Sequence, residues 1–267
     1  MPALRNVRWI VAAMLAGATA LSYLDRQSFP LVAGEIRREI PISDEDFAHL
    51  GSLFLLAYGL MYAGGGFLID RWGTRHGYAL LVLGWSVANM ATGAARSLTG
   101  LGVCRFLLGA GEGGCFPGAA KAVAEWFPAR ERSLAFGIFN TGSSVGAVLA
   151  APLAAGLVTH LGWRAVFVVS GAMGVVWAVA FWLFYRRPAE SRLVTPDERA
   201  TIEADVGPPR GTSTSTWALL VEPRVRRLVL VKLLTDSGWF FLVLWLPRYL
   251  ADGRGFDIKA IGAFAWI

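Results

Sequence analysis

Long apolar runs separated by short polar or glycine-rich segments dominate the sequence of this chain. A helix needs about 20 consecutive apolar residues to cross a bilayer. By this criterion the pattern predicts six closely spaced membrane-spanning helices, then a long polar stretch, a seventh span and the beginning of an eighth. The predicted spans cover residues 9–34, 47–69, 78–95, 98–124, 134–158, 165–185 and 228–250, and the eighth begins near 258. We therefore expect an all-α polytopic membrane protein.

The long polar stretch divides the chain into three predicted parts. Residues 1–185 form a six-helix bundle, 186–227 form a linker, and 228–267 contribute the first helix and a truncated second helix of another bundle. Within the linker, the segment Thr195–Glu198 has an N-cap threonine, a first-turn proline and a capping-box glutamate, which predict the start of a short helix. Since the last apolar run stops at Ile267 without a polar tail, we interpret the chain as an N-terminal fragment.

Charge is sparse and unevenly distributed. Only 16% of the residues are charged, whereas soluble domains carry about 25%. The net charge of +6 does not indicate nucleic-acid binding, because the sequence has no basic stripe with interleaved aromatic residues. Arginines concentrate before the first span, after the second and fourth spans, and in the linker. By the positive-inside rule, this pattern places the N-terminus and the linker in the cytoplasm.

The N-terminus also resembles a cleavable signal peptide, since Arg5 and Arg8 precede an apolar run. However, this run continues through Asp25, and further spans follow it. We therefore expect an uncleaved first span.

Four ionisable residues lie inside predicted spans: Asp25, Arg26, Arg105 and Glu112. Each costs on the order of 3 kcal/mol at the bilayer centre by insertion scales, and such residues usually face a bundle interior or a water-filled path. Arg105 and Glu112 are seven positions apart on one helix face, roughly 10 Å from each other, so each requires a partner elsewhere. We interpret the four as a functional site; the alternative is that they pair only to hold helices together.

A charged motif follows the second predicted span at residues 66–75. Asp70 lies among basic residues, which is unexpected for a simple membrane anchor. The segment resembles the loop signature of the major facilitator superfamily, Gly-x-x-x-Asp-Arg-x-Gly-x-Arg. This resemblance implies that Asp70, Arg71 and Arg75 help to latch two bundles together during alternating access. Glu125, at the inner end of the fourth span, is a candidate partner for either arginine; the alternative is a plain charged turn.

Further segments narrow the resemblance. Residues 105–113 resemble the arginine motif in the fourth span of that superfamily. Residues 23–26 and 124–142 are similar to motifs of its anion:cation symporter family. Residues 232–250 resemble the seventh span of its hexuronate transporter group, although Ser237 stands where proline is expected. The resemblance implies a major facilitator-type six-helix N-terminal bundle plus the start of the C-terminal bundle. It also implies uptake of an organic anion such as glucuronate or galacturonate; close relatives carry aldonates, aldarates or aromatic acids.

Five residues are candidates for binding the substrate. The planar guanidinium groups of Arg26 and Arg105 suit a carboxylate, because each can bind both of its oxygens. Tyr58 and Asn140 match positions that bind substrate in relatives. Trp239 offers a ring on which a sugar could stack. For these last three, ordinary packing or an interhelical hydrogen bond is the alternative.

Asp25 and Glu112 are the candidate proton carriers. When an anionic substrate takes an arginine away from an acid, substrate binding and protonation favour one another. This predicts proton-coupled uptake by alternating access. Sodium is the alternative coupling ion, although no cage of carbonyl and hydroxyl ligands is evident. We expect no cofactor and no metal site. The expected partners are the organic anion, the proton and the lipid bilayer, with the full-length protein working as a monomer.

Other functions fit the sequence less well. An intramembrane enzyme would require an activated nucleophile or a metal cluster at membrane depth, and the sequence suggests neither. A sensor would require a signalling domain, for which the linker is too small. A neutral-sugar uniporter would not need both Arg26 and Arg105. We therefore expect a transporter in the bacterial inner membrane, and no transport by this chain alone.

Overall fold

A computed structural model of the protein describes the backbone of residues 6–206, 221–248 and 254. Within these residues the side chains of 205–206, 236–237 and 239–248 are not described. The described part of the chain is built from helices. They are α1 (Val7–Leu31), α2 (Ala33–Glu39), α3 (Asp44–Ala94), α4 (Leu98–Gly113), α5 (Cys115–Trp126), α6 (Ala129–Leu161), α7 (Trp163–Phe184), α8 (Pro196–Val206) and α9 (Pro223–Arg248).

Four of these helices, α1, α3, α6 and α7, are long and apolar enough to cross a membrane. The 51 residues of α3 include the second and third predicted spans. The helix is interrupted between these spans at Gly73, where φ is 76° and ψ is 155°. This left-handed φ is one that glycine adopts without steric cost. The break separates residues 44–72 from 74–94 and reverses the chain between the predicted second and third spans.

The predicted fourth span, at 98–124, is divided into α4 and α5. The break falls at Gly114, whose backbone N–H bonds to the carbonyl oxygens of Gly111 and Glu112 rather than continuing the α-helical pattern. Gly114 also lies directly against Leu81 of α3, where a Cβ atom would approach a side-chain methyl group to 2.4 Å. The turn therefore lets α4 and α5 both follow the surface of α3.

Helix pairs meet through small residues. On α6, a Cβ atom at Gly142 or Gly146 would lie 2.1 Å from the carbonyl oxygen of Ala16 or Ala20 of α1. On α4, Gly109 meets the backbone of Phe54 in α3 in the same way. Such spacing lets helix backbones approach closely where hydrophobic burial alone does not drive association. We call the contact of Gly142 and Gly146 with α1 the seam between α1 and α6. It holds in place the helix that carries Asp25.

This seam gives a testable prediction. Gly142→Ala should destabilise the protein by about 1–3 kcal/mol, the usual cost of forcing a methyl group into a filled space. Gly137→Ala is the matched control on the same helix, because nothing lies within 4 Å of its Cβ position. Thermal unfolding of the purified protein in detergent measures both; equal midpoints for the two variants would contradict the close seam.

The polar linker begins on the surface of the bundle. Helix α8 confirms the short helix expected from Thr195 onward. Its Glu198 accepts hydrogen bonds from the backbone N–H groups of Val7 (3.1 Å) and Arg8 (3.2 Å), and so caps α1 from another part of the chain. Arg8 also pairs with Glu131 at the start of α6. The linker helix therefore binds α1 and α6 together at this end.

At the opposite end, α2 is bound to α7. Glu39 accepts hydrogen bonds from the indole of Trp163 (3.1 Å) and from the guanidinium of Arg164. The bond from Arg164 holds the pKa of Glu39 below its usual value. Glu39 thus stays ionised in mildly acidic surroundings, and the contact between α2 and α7 persists there.

By its contacts the chain divides into two compact units, Met1–Pro208 and Pro209–Ile267. The first contains α1 to α8, and the second contains α9. Helix α9 includes residues 228–248 of the predicted seventh span, and residues 249–250 lie outside the described residues. The predicted eighth span, from 258, lies outside the described residues.

Candidate functional site

Glu112 of α4 joins α4 to α1 inside the first unit. Its Oε2 atom accepts hydrogen bonds from the hydroxyl of Ser22 (2.9 Å) and from the guanidinium of Arg26 (3.0 Å). Glu112 is fully buried, whereas the Arg26 side chain keeps 29% of its surface exposed. Glu112 Oε1 is buried without a hydrogen-bond partner in the described part of the protein. The ion pair is therefore reachable from its arginine side.

Aromatic rings surround the partly exposed side chain of Arg26. The Arg26 guanidinium carbon lies 5.0 Å from the ring centre of Tyr23, 5.2 Å from that of Phe54 and 4.8 Å from that of Tyr58. Each such contact stabilises a cation by roughly 0.5–2 kcal/mol, more when water is excluded. Tyr58, predicted to bind substrate, therefore lies beside Arg26.

Arg105 of α4 differs from Arg26, because no carboxylate among the described residues forms an ion pair with it. Only 4% of its surface is exposed. Its Nε and Nη2 atoms are buried without hydrogen-bond partners among the described residues. Instead, its guanidinium carbon lies 4.3 Å from the ring centre of Phe29 and 6.0 Å from that of Phe54. Phe54 thus contacts both Arg26 and Arg105, and the two cations share one aromatic wall.

Asp25 occupies a second, fully buried polar cluster. Its Oδ1 atom accepts a hydrogen bond of 2.7 Å from the amide nitrogen of Asn89 in α3. The same amide nitrogen donates a bond of 2.8 Å to the hydroxyl of Ser170 in α7. All three residues have no exposed surface. Asp25 Oδ2 is buried and unpartnered within the described structure, so this carboxylate is only partly satisfied.

The structure therefore brings Asp25, Arg26, Arg105 and Glu112 into one region of the bundle. Arg105 and Glu112 are both close enough to Asp25 to act on its charge. The sequence alone did not point to four of the residues in this region: Ser22, Asn89, Ser170 and Phe54. Asn89 is a polar residue inside an apolar span, but a lone amide there is most often a helix-packing residue.

One predicted substrate residue, Asn140, is placed away from this cluster. Asn140 is exposed on α6, and its amide donates to the carbonyl oxygen of Phe136 in its own helix (2.9 Å). No contact with the arginines is seen among the described residues. The side chain of Trp239 lies outside the described residues.

The charged turn at the end of the second span has its own set of bonds. The Asp70 carboxylate pairs with Lys121 of α5 (2.7 Å), and Arg71 is exposed. Arg75 donates to the carbonyl oxygen of Trp182 in α7 (2.8 Å) and covers its indole ring. This end of α3 is therefore held against both α5 and α7.

Glu125 does not pair with Arg71 or Arg75 in the described structure. Its Oε1 accepts a hydrogen bond from Thr74 (2.9 Å) and its Oε2 from Tyr185 (2.7 Å). The nearest cation among the described residues is Arg187, at 4.0 Å. Thr74 follows directly after the break at Gly73, and this turn delivers its hydroxyl group, rather than an arginine, to Glu125.

Comparisons with known proteins agree with this fold. A family model described as Major Facilitator Superfamily matches residues 15–267. The hexuronate transporter of Escherichia coli (strain K12) is 33% identical over 271 residues, covering 100% of this chain and 63% of that protein. The galacturonate transporter of Dickeya chrysanthemi is 31% identical over 268 residues, covering 99% of this chain and 78% of that protein.

A solved structure is also similar. The crystal structure of a bacterial homologue of the human lysosomal transporter Spinster, inward-facing and unoccupied, matches with a TM-score of 0.66 and 24% identity, over 97% of this chain and 58% of that one. The chain thus spans about 63% of the length of the hexuronate transporter that it matches. The matched model, the relatives and the helical fold together identify this multi-pass membrane protein as a member of the major facilitator superfamily.

Proposed function

We propose that the protein is a secondary transporter that couples a proton to the uptake of an organic anion, such as glucuronate or galacturonate, by alternating access. The observation that carries the proposal is Arg105, a buried guanidinium whose Nε and Nη2 have no hydrogen-bond partner among the described residues. An unpaired buried charge is costly. A carboxylate can bind two guanidinium nitrogens at once and remove that cost.

Arg26 supplies the second anchor. It is already paired with Glu112, but its exposed side can meet an entering anion first. A substrate carboxylate then competes with Glu112 for the same guanidinium. When Glu112 loses this counter-ion inside the protein, taking up a proton removes an unpaired buried charge. Binding of the anion and of the proton thereby support each other.

The relatives favour a sugar acid as the substrate. Besides the hexuronate and galacturonate transporters, they include a probable L-galactonate transporter of Escherichia coli and a probable galactarate/D-glucarate transporter of Bacillus subtilis. All of these substrates carry at least one carboxylate. A symporter for another carboxylate, such as an aldonate, an aldarate or an aromatic acid, is the second candidate, and Tyr58, Asn140 and Trp239 are proposed as substrate contacts in either case.

The remaining assignments belong to the same proposal. The protein lies in the bacterial inner membrane with a cytoplasmic N-terminus, and works as a monomer. Residues 1–185 are the first bundle, 186–227 the linker, and 228–267 the start of the second bundle. The charged turn and the inner end of α5 act in gating through Asp70, Arg71, Arg75 and Glu125, with Glu125 acting through Thr74 and Tyr185.

Uptake assays test the proposal. Cells that lack their own hexuronate carriers, and express the complete gene that contains this sequence, should accumulate radiolabelled glucuronate or galacturonate but not glucose. Accumulation should rise as the external pH falls and should collapse when a protonophore is added. Equal uptake of glucose and glucuronate would favour a neutral-sugar uniporter instead. Accumulation that depends on a sodium gradient and is independent of pH would instead identify sodium as the coupling ion.

A further inference from the structure

Asn89 and Ser170 form the immediate surroundings of Asp25, and neither carries a charge. Asn89 lies on α3 and Ser170 on α7, so the three residues come from three different helices. The Asn89 amide nitrogen uses one hydrogen for Asp25 Oδ1 and the other for Ser170 Oγ. An ionised carboxylate only accepts hydrogen bonds, so it takes the NH2 end of the amide, and the Ser170 hydroxyl, which accepts from the same nitrogen, holds that end in place.

The charged groups near Asp25 lie on α4 and on α1 itself. On α4, Arg105 and Glu112 act on its charge from a distance. On α1 itself, the Arg26 guanidinium bonds to Glu112. The face of α6 that packs against α1 does so through Gly142 and Gly146, which are not ionisable. Among the described residues, the groups that act on Asp25 at hydrogen-bond range are thus neutral, the Asn89 amide and the Ser170 hydroxyl, whereas Glu112 is bound directly to a cation.

We propose that Asn89 and Ser170 are positioning residues that hold Asp25 apart from the arginines, so that Asp25 responds to protons while Glu112 responds to substrate. The inference rests on the proposed function and assigns different roles to its two acidic residues, Asp25 and Glu112. An entering anion competes with Glu112 for the positive charge of Arg26. The neutral amide that binds Asp25 offers the anion no such charge. The hydrogen bond from Asn89 favours the ionised carboxylate and so sets the pH at which uptake responds.

The test measures the pH dependence of uptake in Asn89→Ala and Ser170→Ala. Loss of the Asn89 donor should move the pH of half-maximal uptake upward by about one unit, the scale of one hydrogen bond to a charged group. Ser170→Ala should move it in the same direction, since the amide loses its second partner and the carboxylate loses a nearby hydroxyl group. In both variants the KM for glucuronate at acidic pH should stay within about twofold of the wild-type value.

Ser86→Ala is the matched control. Its hydroxyl group is equally buried on α3, but it bonds to the carbonyl oxygen of Val82 in its own helix (2.7 Å). We expect no change in the pH profile. A shift in Ser86→Ala as large as that in Asn89→Ala would mean that general loosening of the bundle causes the effect, and would overturn the assignment.

A double variant adds a second criterion. In an Asp25→Asn background, in which exchange of the anion is expected to continue, Asn89→Ala should cause no further change in the pH profile of exchange, because the group on which it acts is absent. An additional shift there, or an unchanged profile in both Asn89→Ala and Ser170→Ala, would overturn the inference while leaving proton-coupled uptake intact. By contrast, wild-type protein that takes up no organic acid would contradict the proposed function itself.

Discussion

Asp25→Asn is expected to abolish accumulation of the organic anion against its gradient, while exchange of the anion across the membrane continues. The variant keeps a side chain of the same size beside Asn89 but can no longer release and bind a proton. With one proton per anion, an imposed gradient of one pH unit supports about tenfold accumulation. The variant should reach a ratio of about one, measured as internal over external radiolabelled glucuronate.

Asp197→Asn provides the matched control for this experiment. Asp197 is exposed in the first turn of α8 and has no place in the buried cluster. Its variant should accumulate substrate like the wild-type protein. If Asp25→Asn still concentrates glucuronate tenfold, Asp25 is not the coupling acid, and Glu112 becomes the residue to test.

Arg105→Gln should weaken binding of anionic substrates by at least about 30-fold. Removing one partner of a buried charge pair costs about 2–5 kcal/mol, and 1.4 kcal/mol corresponds to a factor of ten. Arg105→Lys should recover only part of the affinity, because an ammonium group keeps the charge but lacks the planar fork that binds both carboxylate oxygens. The effect of each variant is measured as the change in the KM for glucuronate uptake, or in the affinity for glucuronate determined by calorimetry.

The control for Arg105 is an arginine outside the cluster. Arg130, at the start of α6, is largely exposed, so Arg130→Gln should leave the KM unchanged. Equal KM values for Arg105→Gln and the wild-type protein would show that the unpaired guanidinium does not receive the substrate, and would remove the main support for an anionic cargo.

The sequence predicted the helical spans well because apolar length is a strong signal in a membrane protein. The break at Gly73 falls between the second and third predicted spans, where a boundary was expected. The sequence did not reveal that the fourth span is divided at Gly114, against the side chain of Leu81. That contact depends on how α3 packs against this segment, which hydropathy does not report.

The charged members of the site were also visible in the sequence, since ionisable groups are rare within spans. Their partners were not. Asn89 and Ser170 are neutral residues on helices far apart in the chain, and their relation to Asp25 exists only after α1, α3 and α7 have packed together. Likewise, Glu125 could not be matched from charge alone, because its partners are hydroxyl groups.

The seam between α1 and α6 has one more consequence. At Ala16 and Ala20 the backbones of the two helices touch with no side chain between them, and Ala20 precedes Asp25 by five residues, roughly 7–8 Å along the axis. A helix held this tightly can neither slide lengthwise nor rotate in place without a steric clash. We therefore expect Asp25 to remain at a constant depth in its bundle throughout the transport cycle, so that hydrated passages open and close around a stationary acid.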